Sequence, residues 1–175
     1  APAMGRARSA TARGRAAGKA AAPRPPPPAP RPPLTDKKEL KDAIAAACEL
    51  LRETGVGKEE DWEKRSASLR ALPALLAQAA AVGFFEAMLE SEYHGRRLAK
   101  HLSYQLADLR SQIVRVVCGV LGEVGREHGR AVAPLVVGVM PQLLKNLYVS
   151  VKAISASSHE TALELASIAP PDQLL

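Results

Sequence analysis

The stretch DLRSQIVRVVCGVLGEVG, residues 108–125, contains the pattern that decides the fold. Its larger apolar residues recur every three or four positions, which is the spacing of one face of an α-helix. Asp108 stands at the position expected of a helix N-cap, and small residues accompany the apolar face. The stretch therefore predicts a helix that packs closely against other helices. Its apolar face consists of Ile113, Val116, Val117, Val120, Leu121 and Val124.

Two further stretches repeat this arrangement: DWEKRSASLRALPALL, residues 61–76, and SVKAISASSHETALELA, residues 150–166. Each opens with a polar turn, carries a base near its start and continues with an apolar face and small residues. The spacing is 47 positions from Asp61 to Asp108 and 42 from Arg110 to Lys152. Repeats of this length with two helices each are typical of HEAT and armadillo stacks. We therefore predict an all-α HEAT-repeat solenoid of about three repeats, which is the usual minimum for a stable stack.

The chain from residue 35 onward has helical periodicity, and no strand pattern competes with it. We expect the last apolar face, with Leu163, Leu165 and Ile168, to need a covering neighbour, because a short stack leaves its final repeat open. Six helices are predicted: one capped by Thr35 and ending at Gly55 or Gly57, one from Asp61 with a bend at Pro73, one over 84–106 with a break near Gly95, one capped by Asp108, one over 132–147 and one over 150–168.

Charge and proline content divide the chain before the helices begin. Residues 1–34 carry seven bases and no acid, which leaves seventeen bases against eighteen acids for the rest. We predict a low-complexity basic arm over 1–22, a polyproline II segment over 23–34, the helical domain over 35–169 and a tail over 170–175. The polyproline segment is expected to act as a spacer or to lie in a partner's groove. The bases expected to bind an acidic surface are Arg6, Arg8, Arg13, Arg15, Lys19, Arg24 and Arg31.

No residue pattern in the chain indicates catalysis. Cys48 and Cys118 lie far apart in apolar helical patterns and are predicted to be buried, reduced thiols. The histidines lack metal-ligand spacing and are expected to be solvated or to cap helices. These histidines are His94, His101, His128 and His159. We therefore predict a binding protein with no enzymatic activity, no cofactor, no metal and no membrane span.

Three stretches resemble the CLASP-type TOG domain, the tubulin-binding HEAT array of microtubule-associated proteins. They are the DWExR opening at 61–65, ADLRSQIVR at 107–115, and the pair MPQLL at 140–144 with VSVKAISASS at 149–158. Together they cover about residues 36–169. The resemblance implies a microtubule- or tubulin-binding scaffold in the cytoplasm and cytoskeleton, with a cilium or flagellum axoneme as one setting. A full TOG domain has about six repeats, so this chain matches only half of that array.

In that family, the turns between the two helices of each repeat form the edge that meets tubulin. The resemblance places six residues of this chain there as partner-binding: Trp62, Arg65, Asp108, Arg110, Ser111 and Lys152. Helical phase alone leaves a second interpretation of Trp62, which is a hydrophobic staple folded over the start of its helix.

Two other functions stay open at this point. The stack could be a generic HEAT-repeat adaptor for another protein. The arm could bind nucleic acid through its charge, although it lacks the aromatic residues that stack on bases, which disfavours this reading.

Overall fold

A computed structural model of the chain describes residues 36–52 and 61–169. The predictions for the arm, the polyproline segment, Thr35, Gly55, Gly57 and the tail lie outside these ranges. The described residues form seven α-helices and one short 3₁₀ helix, with no strand among them. The α-helices are α1 (Lys37–Leu51), α2 (Asp61–Ala81), α3 (Phe85–Glu90), α4 (Gly95–Leu106), α5 (Ser111–His128), α6 (Ala133–Asn146) and α7 (Lys152–Ala166), and the 3₁₀ helix is Gly129–Val132.

The helices stack in pairs and form two layers. Helices α1, α4 and α6 pack side by side in one layer, and α2, α5 and α7 do so in the other. Within the pairs, α1 contacts α2, α4 contacts α5 and α6 contacts α7. This arrangement confirms the predicted all-α, HEAT-like stack of three repeats. In the described part of the chain, no helix combines the length and the apolar character that crossing a membrane requires.

The core is almost entirely aliphatic, because the chain has few aromatic residues. Leucines and valines from all seven α-helices fill it, and Phe85 is its only fully buried aromatic side chain in the described ranges. Cys48 and Cys118 are buried free thiols, which confirms their prediction. Small residues allow neighbouring helices of one layer to approach closely: a Cβ at Gly138 on α6 would come within 2.6 Å of the Ala99 Cβ on α4.

The helix ends follow from local contacts. Asp36 is the N-cap of α1, since its carboxylate accepts the Lys38 N–H at 3.2 Å. The predicted break near Gly95 is confirmed, because the helix over 84–106 is divided into α3 and α4 at residues 91–94. The chain bends so tightly there that a Cβ on Gly95 would lie 1.8 Å from the Leu89 carbonyl oxygen, so only glycine fits.

A predicted helix cap is corrected at α5. Its N-cap is Arg110, and Asp108 lies two residues earlier. The Asp108 carboxylate accepts the Arg110 N–H at 2.8 Å, so it shapes the turn before the helix rather than capping it.

The final repeat is better covered than the sequence predicts. Leu165 is 1% exposed and belongs to the core, and Ile168 is half-buried against it. The expectation of an open face is therefore wrong for these two, because α7 packs against both α5 and α6. Only Leu163 is exposed as expected.

One histidine is buried rather than solvated, and a second is half-buried. His101 is 4% exposed on α4, and burial, followed by the charge of Arg97, lowers its pKa from 6.5. The His128 ring stacks on Phe85, with ring centroids 4.2 Å apart. The prediction of a solvated or capping side chain is therefore wrong for His101, whereas His128 is the N-cap residue of the 3₁₀ helix.

Candidate functional site

The turns inside the second and third repeats lie at one end of the stack. Residues 107–110 join α4 to α5, and residues 147–151 join α6 to α7. Because α4 lies beside α6 and α5 beside α7, the two turns are neighbours. We call the surface of residues 107–111 and 147–152 the turn edge. Residues 53–60, which join α1 to α2, lie outside the described ranges.

A buried ion pair ties the start of α2 to the turn edge. The Arg65 Nη1 donates to Asp108 Oδ2 at 2.7 Å and to Gln105 Oε1 at 2.6 Å. Both charged side chains are almost fully enclosed, at 4% exposure for Arg65 and 10% for Asp108. The other Asp108 oxygen accepts the Arg110 N–H, so the pair fixes the turn from below.

Two amide side chains continue this network along the edge. The Gln105 Nε2 donates to the carbonyl oxygen of Leu51, the last residue of α1, at 2.7 Å. The Asn146 Nδ2 donates to the carbonyl oxygen of Leu106, the last residue of α4, at 2.9 Å. Helices α4 and α6 thus each supply a buried amide that donates to an open C-terminal carbonyl of the neighbouring helix in the same layer. Such satisfied polar contacts hold the turns in register.

Two of the sequence-predicted site residues lie beneath the surface. Arg65 is 3% exposed, and its guanidinium donates to Gln105 and Asp108 beneath the turn edge, so its contact with a partner stays a prediction. Its charge is neutralised by the Asp108 carboxylate, whose side chain is 10% exposed. A base at this position in a helix would ordinarily be solvated, but its hydrogen-bond partners lie 40 and 43 residues away.

The other predicted residues reach the surface to different degrees. Lys152 begins α7 and is exposed, while Arg110 and Ser111 are half-buried at the start of α5. Trp62 lies one helical turn before Arg65 on α2; it is half-buried and packs against the core cluster. Its indole therefore contacts the core with one part and is open to solvent with another.

Sequence reasoning missed the apolar residues of the turn edge. Leu109 is 82% exposed and Tyr148 is 91% exposed, and Val149 and Val151 are also exposed. Single apolar residues in a turn give no periodic signal. Their side chains nevertheless stand next to Arg110 and Lys152, so the edge presents apolar groups with bases between them.

The stacked helix pairs define the class of protein, a HEAT-type helical repeat protein. The family described as CLASP N terminal matches residues 38–174, and the chain belongs to this family. The family is a structural, microtubule-associated one and not an enzyme family. The match confirms the resemblance inferred from the openings of α2 and α5. Comparison with curated proteins finds no match, and neither does comparison with solved structures.

Proposed function

We propose that this protein is a non-enzymatic microtubule-associated scaffold that binds tubulin through the turn edge. The observation that carries the proposal is the pair of neighbouring turns that expose Leu109 and Tyr148 beside Lys152. Membership of the CLASP N-terminal family supports the choice of tubulin as the partner. The cytoskeleton is the proposed location, and no observation narrows it to a cilium or an axoneme.

The chemistry of the edge suits a folded, acidic partner. A few residues supply most of the binding free energy at protein interfaces, and tyrosine and arginine are enriched among them. Lys152 and Arg110 add positive charge, which speeds encounter with a negative surface and fixes orientation. The buried network beneath the turns keeps them preorganised, so little conformational entropy is lost on binding.

The basic arm is proposed to add avidity. A tethered cationic segment next to a docked domain acts at a high effective concentration on the same acidic surface. Its contribution is electrostatic and therefore decreases with salt, whereas the apolar part of the edge contact does not.

Microtubule co-sedimentation of the full chain tests the proposal. Replacement of both Leu109 and Tyr148 by Ala is expected to weaken binding by about tenfold or more, the effect of losing about 1.4 kcal/mol. Leu163→Ala is the matched control, because Leu163 is 62% exposed on α7 but lies outside the edge. A Lys152→Glu chain should also bind less, most clearly at low salt.

A second variant separates the arm from the edge. Changing the seven arm bases to Gln in the full chain should remove the arm's share of the salt-sensitive binding and leave the dependence on Leu109 and Tyr148. If only the arm variant loses binding and the double edge variant pellets like the parent chain, the proposed edge contact is wrong. If the folded parent chain does not pellet at all, the edge serves a different protein and the adaptor function replaces this proposal.

A further inference from the structure

A groove on the layer formed by α1, α4 and α6 lies apart from the turn edge. It has a volume of about 830 Å³ and opens between α4 and α6, with the end of α3 at its side. None of its lining residues belongs to the turn edge. Its walls are mainly apolar, with Leu89, Ala99, Tyr104, Pro134 and Val137 as the main contributors.

The exposed face of α6 extends this groove as an apolar stripe. Pro134, Val137, Pro141 and Leu144 follow one another at intervals of three and four residues, all on the exposed side of the helix. Val137 is 39% exposed and Leu144 is 47% exposed, and no described element covers them. A single exposed apolar residue is ordinary, but a continuous stripe beside a groove indicates an interaction surface.

The floor of the groove is formed by small residues at which α4 and α6 touch. Gly138 faces Ala99 across the α4–α6 contact, where an added Cβ would come within 2.6 Å of the Ala99 Cβ. The Ser103 hydroxyl donates to the Gly138 carbonyl oxygen at 3.2 Å and fixes the two helices at this separation. Because neither small residue has a side chain that fills the groove, its volume above the α4–α6 contact is open to the side chains of a partner.

The rim of the groove carries two bases and one acid. Arg96 and Lys100 lie one turn apart on α4, and Glu90 is the only acid among the lining residues. Arg96 is engaged by Glu92 at 2.8 Å. In the described ranges Lys100 has no carboxylate partner, and its Nζ lies 5.7 Å from the centroid of the Tyr104 ring. An occupant with acidic side chains would therefore complement this rim.

We infer that the α4–α6 groove binds an acidic amphipathic helix from a partner protein. The apolar face of that helix packs on Val137 and its neighbours, and acids on its flank pair with Lys100. Helix α6 has 14 residues and is about 21 Å long, which matches a partner helix of about four turns. An extended strand would need an open sheet edge, and a proline-rich ligand would need a row of aromatic residues, so a helix fits this surface best.

Selection of a displayed library of helical peptides, each about 16 residues long, on the full chain tests this inference. The library is randomised at every surface position and selected at about 0.15 M salt, where distant charges are screened. The expected winners carry apolar residues at helical spacing with Asp or Glu beside them. A synthetic peptide with the winning sequence is then measured by fluorescence anisotropy against the parent chain and its variants.

Val137→Glu and Lys100→Glu should each weaken that peptide by about tenfold, because one buries a charge and the other repels the acids. Leu163→Glu is the matched control on α7 and should leave affinity within about twofold, as for a surface change outside the contact. Winners that are acidic without apolar spacing would overturn the inference, since they would report the basic arm. So would an empty selection, or a peptide that is insensitive to Val137→Glu.

Discussion

Replacing Arg65 by Ala removes the charge at the centre of the buried network and is expected to destabilise the fold strongly. The Asp108 carboxylate, 10% exposed, loses its counter-charge, and the Gln105 Oε1 loses the donor 2.6 Å away. Removing one member of a buried ion pair costs about 3–5 kcal/mol. Asp108 keeps the hydrogen bond from the Arg110 N–H, so we expect the lower end, about 3 kcal/mol.

Urea unfolding followed by circular dichroism measures this loss, and thermal unfolding should show a midpoint lower by about 10 °C. Arg70→Ala is the matched control, because Arg70 is exposed on the same helix. Asp108→Asn in the Arg65→Ala background should recover part of the stability, since it removes the uncompensated charge. The reasoning is refuted if Arg65→Ala costs no more than Arg70→Ala, or if the two substitutions at the pair are additive.

Three other predictions follow from the packing and burial. Gly138→Ala should lower the free energy of unfolding by about 1–3 kcal/mol, because the added Cβ forces α4 and α6 apart. Gly119→Ala should raise it by about 0.5–1 kcal/mol, because an added Cβ there meets no neighbouring atom within 4 Å and alanine favours the helix. Urea midpoints that move in the same direction for both variants would contradict this. Burial lowers the pKa of His101 from 6.5, so as pH falls below that value the unfolded chain takes up the proton first and the stability of the fold decreases. His101→Gln should therefore flatten the decrease in stability between about pH 7.5 and about 5.5. An unchanged slope in the variant would exclude this role of His101. Burial raises the pKa of Cys48 to about 11 and also raises that of Cys118. A thiol reagent at about pH 8 should therefore react with both thiols at least about a hundredfold more slowly in the native chain than in urea. Rapid reaction of the native chain would contradict the burial.

The stack could be predicted from sequence because its signal is local and repeated. Residues 61–76 and 108–125 each combine apolar residues at helical spacing with small residues. In the structure these two stretches lie in α2 and α5, each of which is the second helix of its repeat. The break at residues 91–94 had only Gly95 as its signal. Its cause is the approach of Gly95 to the Leu89 carbonyl, which depends on the three-dimensional path of the chain.

The candidate site was less predictable, because its organisation depends on distant pairs. Arg65 has the appearance of a solvated base until α5 brings Asp108 against it, and the partner is 43 residues away. The same is true of Asn146, whose bond to the Leu106 carbonyl spans 40 residues. Leu109 and Tyr148 carry no pattern at all, since exposure on a shared edge is a property of the stacked turns.

Amide hydrogen exchange of the full chain, with and without tubulin, tests the central claim most directly. Binding through the turn edge should slow exchange in peptides that cover residues 107–111 and 147–152, with little change in α3. The account is contradicted if tubulin slows exchange only in residues 1–34, because binding would then depend on the charge of the arm. It is also contradicted if protection falls on the α4–α6 groove and not on the turns.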